Sequence, residues 1–215
     1  MAPQGRAPCN QLRDGPRGNP LAPGLVYFNR GDHDPLDMDK PEGLSPHSYA
    51  VRRGKQDRLD DIKLEITQSG GTIEVDANHR LVERRNDNVV ETDFDIQVPA
   101  RTRLDIKTFS APVTVIGVSE SQKIDGFSSD IRIEASQWGD GNSLDINTFS
   151  GDVNLRLPDN ARGEIDFNSF SGRFESDLPV TLTNSSRRNF RGALNGVGSG
   201  DFRLKTFSGS VSIRR

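Results

Sequence analysis

Apolar and polar positions alternate through most of the second half of the chain, and they do so in nearly identical phrases. An alternating run leads into Phe-Ser, then a tight turn, then a second alternating run. The copies are Leu104 to Val115 (LDIKTFSAPVTV), Gln122 to Ile133 (QKIDGFSSDIRI), Leu144 to Leu155 (LDINTFSGDVNL), Ile165 to Ser176 (IDFNSFSGRFES) and Phe202 to Ile213 (FRLKTFSGSVSI). A sixth, older-looking copy runs Leu64 to Val75 (LEITQSGGTIEV), with Ser69 where the others carry Phe. Leu104, Ile106, Val113 and Val115 fall on one face, with Asp105, Lys107 and Thr114 on the other, which is the half-buried strand pattern. Glycine after Phe-Ser permits a bend at no steric cost. Each copy is therefore a bent strand or a strand–turn–strand unit. None can bury its apolar face alone, so the copies must stack.

The Phe anchors at 109, 127, 149, 170 and 207 are separated by 18, 22, 21 and 37 residues. Such steps suit an all-β chain wound as a single-stranded β-solenoid of about six stacked rungs, roughly 25–30 Å long at ~4.8 Å per rung. The long last step leaves room for a degraded copy at Phe190-Arg191-Gly192-Ala193-Leu194. In such a coil Phe109, Phe127, Phe149, Phe170 and Phe207 form one internal aromatic column, the repeat core. Pro99, Pro158 and Pro179 follow alternating runs and mark strand ends, because proline cannot donate to a ladder. The alternative fold is an antiparallel β-sandwich made of the same hairpins.

Composition divides the chain. Eight of the 12 prolines lie in the first 46 residues, and ten of the 11 phenylalanines lie from Phe94 onward. Residues 1–57 carry neither strand nor helix periodicity and are read as a disordered or linker-like segment; residues 58–215 form the repeat-built domain. The charge is balanced at −3, from 28 basic and 31 acidic residues, and gives no field for nucleic acid. One cysteine, Cys9, forbids an internal disulfide and a cysteine metal site. No apolar run is long enough to span a membrane, and the first 30 residues lack the apolar core of a signal peptide.

Three features together resemble a bacterial family, the putative-adhesin domain of unknown function, also called a toastrack β-repeat domain. They are the opening Asp95-Ile96-Gln97-Val98-Pro99-Ala100, and the recurring Thr-Phe-Ser-Gly at Thr148 to Gly151 and Thr206 to Gly209. The third is the close, Glu175-Ser176-Asp177-Leu178-Pro179 followed by a Gly-rich loop from Gly192 to Gly200 and a terminal strand. The resemblance covers roughly residues 60–215. It implies a β-solenoid of the bacterial envelope, outside the cytoplasm, and transfers no catalytic residues.

Chemistry must then come from what differs between copies. Asp145 and Asp166 share an outward slot of consecutive copies, so a coil sets them one rung apart, the ~5 Å separation of retaining glycosidases. The same slot holds Asp105 and Lys123, which reads as an ordinary ladder of cross-strand ion pairs. Asn147 and Asn168 share a second outward slot, as a stacked amide ladder or a ligand contact. Trp138, in the loop-like insertion Ser136 to Asn142, is either an exposed binding residue or a side chain folded over the flank. The histidines, His33, His47 and His79, support no triad, and the acidic patch around His33 reads as solvated rather than as a metal site. The Gly196 to Asp201 run is a turn: it lacks the Gly-Lys-Ser/Thr of a phosphate loop and the repetition of a calcium β-roll.

The expectation is a non-catalytic, adhesin-like scaffold without cofactor or metal. It presents rows of side chains to a protein or glycan surface ligand, and no nucleic acid. The alternatives are a self-assembling structural solenoid that associates through the C-terminal edge strand, Ser210 to Arg215, and a polysaccharide-active enzyme using Asp145 and Asp166.

Overall fold

The computed structural model describes residues 24–28, 48–53, 65–76, 91–186 and 188–215. The described residues form strands and turns without a helix. In chain order the strands are β1 (Gly24–Phe28), β2 (Ser48–Arg53), β3 (Glu65–Ser69), β4 (Thr72–Asp76), β5 (Glu91–Val98), β6 (Leu104–Thr108), β7 (Val113–Ile116), β8 (Gln122–Ser128) and β9 (Ile131–Glu134). They continue with β10 (Ser143–Ser150), β11 (Val153–Arg156), β12 (Gly163–Ser169), β13 (Phe174–Ser176), β14 (Val180–Ser185), β15 (Asn189–Leu194), β16 (Gly200–Thr206) and β17 (Val211–Arg214).

Each of the five Phe-bearing phrases gives one strand to each of two large sheets, with Phe-Ser at the corner. Sheet I is seven-stranded, in the order β14-β15-β12-β16-β10-β8-β6; sheet II is eight-stranded, in the order β13-β17-β11-β9-β7-β1-β5-β2. Equivalent strands of the five units pair in parallel and in register, so Ile106, Ile124, Ile146, Leu204 and Phe167 make one inward row of sheet I. Val115, Ile133, Leu155 and Ile213 make a row of sheet II. Both rows belong to a single buried core. Fully buried β-branched and aromatic side chains supply most of the stabilisation, about 1.5–3 kcal/mol each.

Four expectations change. First, the stacking order is not the sequence order. The last unit, β16–β17, inserts between the third and fourth, so β17 pairs with β11 on one side and β13 on the other. It is not an edge, so the C-terminal strand offers no open ladder of the kind expected for edge-to-edge self-association. Second, Phe190-Arg191-Gly192-Ala193-Leu194 is not a degraded rung. It is β15, antiparallel to both β12 and β14. Third, the sixth copy does not join the stack: β3 and β4 pair as a separate hairpin. Gly70-Gly71 closes it as a two-residue turn with φ of +60° at Gly70, where the other copies have a corner. Fourth, residues 1–57 are not uniformly linker. Their β-forming runs at Leu25 to Phe28 and Tyr49 to Val51 supply β1 and β2, which pair antiparallel with β5. Parallel pairing of the five units is thus flanked by antiparallel strands, and the architecture is neither one six-rung coil nor an antiparallel sandwich.

Candidate functional site

The corner explains where the phenylalanines go. In the third unit Leu144, Ile146 and Thr148 are buried, and the next residue, Phe149, necessarily points outward. The buried hydroxyl before Phe closes the turn: Gly172 N–H donates to Ser169 Oγ at 2.7 Å, and Gly209 N–H donates to Thr206 Oγ1 at 2.8 Å. The glycine itself is needed for closeness. A Cβ on Gly209 would overlap the carbonyl oxygen of Gly151 in the neighbouring unit.

The aromatic column therefore exists but is not internal. Phe109, Phe127, Phe149, Phe170 and Phe207 are 68, 45, 47, 60 and 44% exposed. This overturns their assignment to the repeat core, which is filled instead by Phe167 and Phe202 within the strands. The external rings stack in the order 109, 127, 149, 207, 170, with centroids 5.0, 4.9, 4.7 and 4.7 Å apart and planes within 5° of parallel. That interval is the strand spacing. It exceeds the ~3.5–4.0 Å of carbon contact, so the rings lie slipped past one another in the offset arrangement aromatic pairs prefer. At one end the Arg188 guanidinium lies over Phe170, 5.9 Å from its centroid. Half-exposed, the five rings present on the order of 500 Å² of apolar surface, the size of patch that on a monomer is often functional.

Beside the rings runs a polar row. Asn147, Lys205, Asn168 and Asn189 occupy adjacent positions of β10, β16, β12 and β15. With Phe127, Phe149, Phe170 and Phe207 they line a shallow open groove of about 580 Å³. Asn147 Nδ2 donates weakly to Asp125 Oδ1 at 3.5 Å, Asn168 Nδ2 donates to Asp166 Oδ1 at 2.9 Å, and Asn189 Oδ1 accepts from Ser169 N–H at 3.1 Å. Asn147 and Asn168 thus share the groove, but Lys205 stands between them and no direct amide ladder forms. Lys205 and Asn189 escaped the sequence reading. The signal for Lys205 was its slot, the same as that of Asn147 in another copy; Asn189 gave none, because the antiparallel strand that carries it does not follow the repeat.

Asp145 and Asp166 do not form a dyad. With β16 inserted, Arg203 lies opposite both, and the carboxylates sit two strand spacings apart, about 9.6 Å. Asp166 Oδ2 also accepts from Arg191 Nε at 3.0 Å. The outer row of sheet I reads Asp105, Lys123, Asp145, Arg203, Asp166, Arg191, with strictly alternating charge. Stacking in sequence order would have set Asp145 against Asp166. The inserted Arg203 removes that repulsion.

Trp138 takes the second of its two readings, a side chain folded over the flank, and not the first, an exposed binding residue. It is 6% exposed and stacks on Phe202 at 5.2 Å, with Nε1 buried and without a hydrogen-bond partner. Its apolar area folds over the inserted strand, which removes it from the binding candidates. Among the described residues no group of His, Cys, Asp or Glu could hold a metal ion, and no helix is long and apolar enough to cross a membrane. The three histidines and Cys9 lie outside the described residues.

The model of the family described as Toastrack DUF4097 matches residues 88–214, more than half of the chain. The chain belongs to that family. The Toastrack match spans all five Phe-bearing units, and the sixth copy and β1–β2 precede it. A solved structure from Clostridium sporogenes ATCC 15579, named a "putative cell adhesion protein", is similar in fold. It aligns with a TM-score of 0.54 over 80% of this chain and 84% of that one, at 11% identity. No curated protein matches the sequence.

Proposed function

We propose that this Toastrack domain is a non-catalytic, adhesin-like binding scaffold of the bacterial envelope, with the phenylalanine ladder and its Asn/Lys groove as the binding surface. The observation that carries the reading is the ladder itself: five large apolar side chains held in register on the outside, where they add little to the core. The family membership and the name of the Clostridium relative support an adhesive role at the cell surface.

The partner that fits is an extended protein segment lying along the stack of strands. Inner rings spend their faces on each other and offer edges, whereas sugar stacking wants open faces. Apolar edges beside a row of amides and one ammonium suit a peptide, whose side chains and carbonyls alternate. The test is retention of labelled protein on intact cells and on isolated envelope fractions. A Phe149→Ser/Phe207→Ser variant with unchanged circular dichroism should lose at least tenfold in retention, and protease treatment of the cells should abolish binding of the parent. Equal retention of parent and variant overturns the reading, as does release of reducing sugars from any glycan.

A further inference from the structure

The donors along the groove are not equally used. Asn147 and Asn168 give their Nδ2 groups to Asp125 and Asp166. Asn189 spends its Oδ1 on the Ser169 N–H and keeps its Nδ2, and Lys205 Nζ has no ion pair or hydrogen bond among the described residues. Both side chains are exposed. Lys205 and Asn189 flank Asn168, so the two unused donors stand two strand spacings apart, about 9.6 Å. The rings beside them keep the same interval. Phe149 and Phe170 lie on either side of Phe207, each 4.7 Å from it, so alternate rings are about 9.4 Å apart. One backbone form repeats at that distance. A polyproline II helix has three residues per turn and a rise of ~3.1 Å, so each of its three edges repeats every ~9.3 Å. A β-strand repeats its side chains every ~6.6–6.8 Å and an α-helix its turns every ~5.4 Å, and neither keeps step with the groove. The polyproline II form also leaves every carbonyl without an internal partner, open to outside donors.

We propose that the groove takes a proline-rich, acidic segment of a partner protein in the polyproline II form, an assignment that rests on the ladder being the binding surface. One edge of the three-sided helix seats on alternate rings, as proline-rich ligands seat in aromatic-lined grooves. A second edge faces the polar row and meets Lys205 and Asn189 one turn apart, where a carboxylate and a carbonyl take the two unused donors. The third edge faces solvent. Lys205, with Arg188 over Phe170 at the end of the ladder, makes the donor side cationic, and that sign selects an acidic segment. The chain's own proline-rich stretch has the opposite charge to the one required. Residues 1–23 carry Arg6, Arg13 and Arg17 against a single acid, Asp14.

Fluorescence anisotropy with the full chain and three labelled peptides, (Pro-Pro-Glu)3, (Pro-Pro-Lys)3 and (Gly-Ser-Glu)3, tests the assignment. As polyproline II such a peptide is ~28 Å long, more than the ladder spans. (Pro-Pro-Glu)3 should bind at least tenfold more tightly than either of the others, because the lysine peptide brings the wrong charge and the glycine peptide must first be ordered. Lys205→Glu should shrink the preference for glutamate over lysine at least fivefold, and Phe149→Ser/Phe207→Ser should abolish binding of (Pro-Pro-Glu)3. The proposal is overturned by no binding of (Pro-Pro-Glu)3 at about 5 mM, by equal binding of the three peptides, or by variants that bind like the parent. Tighter binding of a peptide of residues 1–23 also overturns it, and makes the chain's own segment the occupant. The comparison of peptides on the parent needs no variant to fold. If retention on cells depends on Phe149 and Phe207 while (Pro-Pro-Glu)3 does not bind, the ladder reading stands and the polyproline II assignment falls.

Discussion

Two columns run along the corner of this molecule, one residue apart in sequence, and they do opposite things. Thr148, Ser169 and Thr206 point inward, are buried, and close the turn through their hydroxyls. Phe149, Phe170 and Phe207, each the next residue along, point outward and stack on one another in solvent. In a pleated strand the alternation of sides outranks the hydrophobicity of any one residue. A repeated aromatic is not evidence of core unless it falls on the inward parity.

The contrast can be broken in order of severity. Phe202→Ala, inside the core and beneath Trp138, should cost about 3–5 kcal/mol in chemical denaturation, because a cavity replaces a fully buried ring. Gly209→Ala should cost about 1–3 kcal/mol or more, since the added methyl meets the Gly151 backbone rather than a flexible side chain. Phe207→Ala, although it removes a ring of the same size as Phe202, should cost only about 1–2 kcal/mol from lost ring contacts, and thermal melts of the two variants should separate clearly. Arg203→Asp turns the alternating charge row into three adjacent acids and should cost about 0.5–1.5 kcal/mol, an effect that shrinks in high salt.

The smallest effect concerns Asp95 on β5. Burial pushes its carboxyl above the ordinary value, and Oδ1 is buried without a hydrogen-bond partner. The folded state therefore holds this proton more tightly than the unfolded chain does. Its contribution is fully present below the ordinary carboxylate value and is lost as pH rises through the raised folded one. Asp95→Asn should be slightly more stable than the parent at pH 7, with the gap closing on acidification. A gap that widens on acidification contradicts the assignment.

Much of the architecture was legible. The five units, their bends and the in-register rows such as Asp105 against Lys123 follow from period-2 alternation and the spacing of Phe-Ser. The insertion of β16 between β10 and β12 was less visible, yet the charges carried it: Asp145 and Asp166 repel as neighbours, and Arg203 supplies the missing cation. The outward Phe was also there to be read, since Leu144, Ile146 and Thr148 set the inward parity and 149 breaks it. For Trp138 the folded reading was available but the choice between its two readings was not, because a loop has no period and its burial depends on Phe202, far away in sequence. The antiparallel strands β1, β2, β14 and β15 lie outside the repeat and had only their β-forming runs to announce them.

The placement of the aromatic column is tested most directly by fluorescence, because Trp138 is the single tryptophan of the chain. The parent should emit as a buried indole and resist an aqueous quencher. In a Trp138→Phe background, Phe149→Trp should emit at longer wavelength and be quenched readily. A quenched Trp138 together with a protected indole at position 149 would put the ladder inside the molecule and contradict the account.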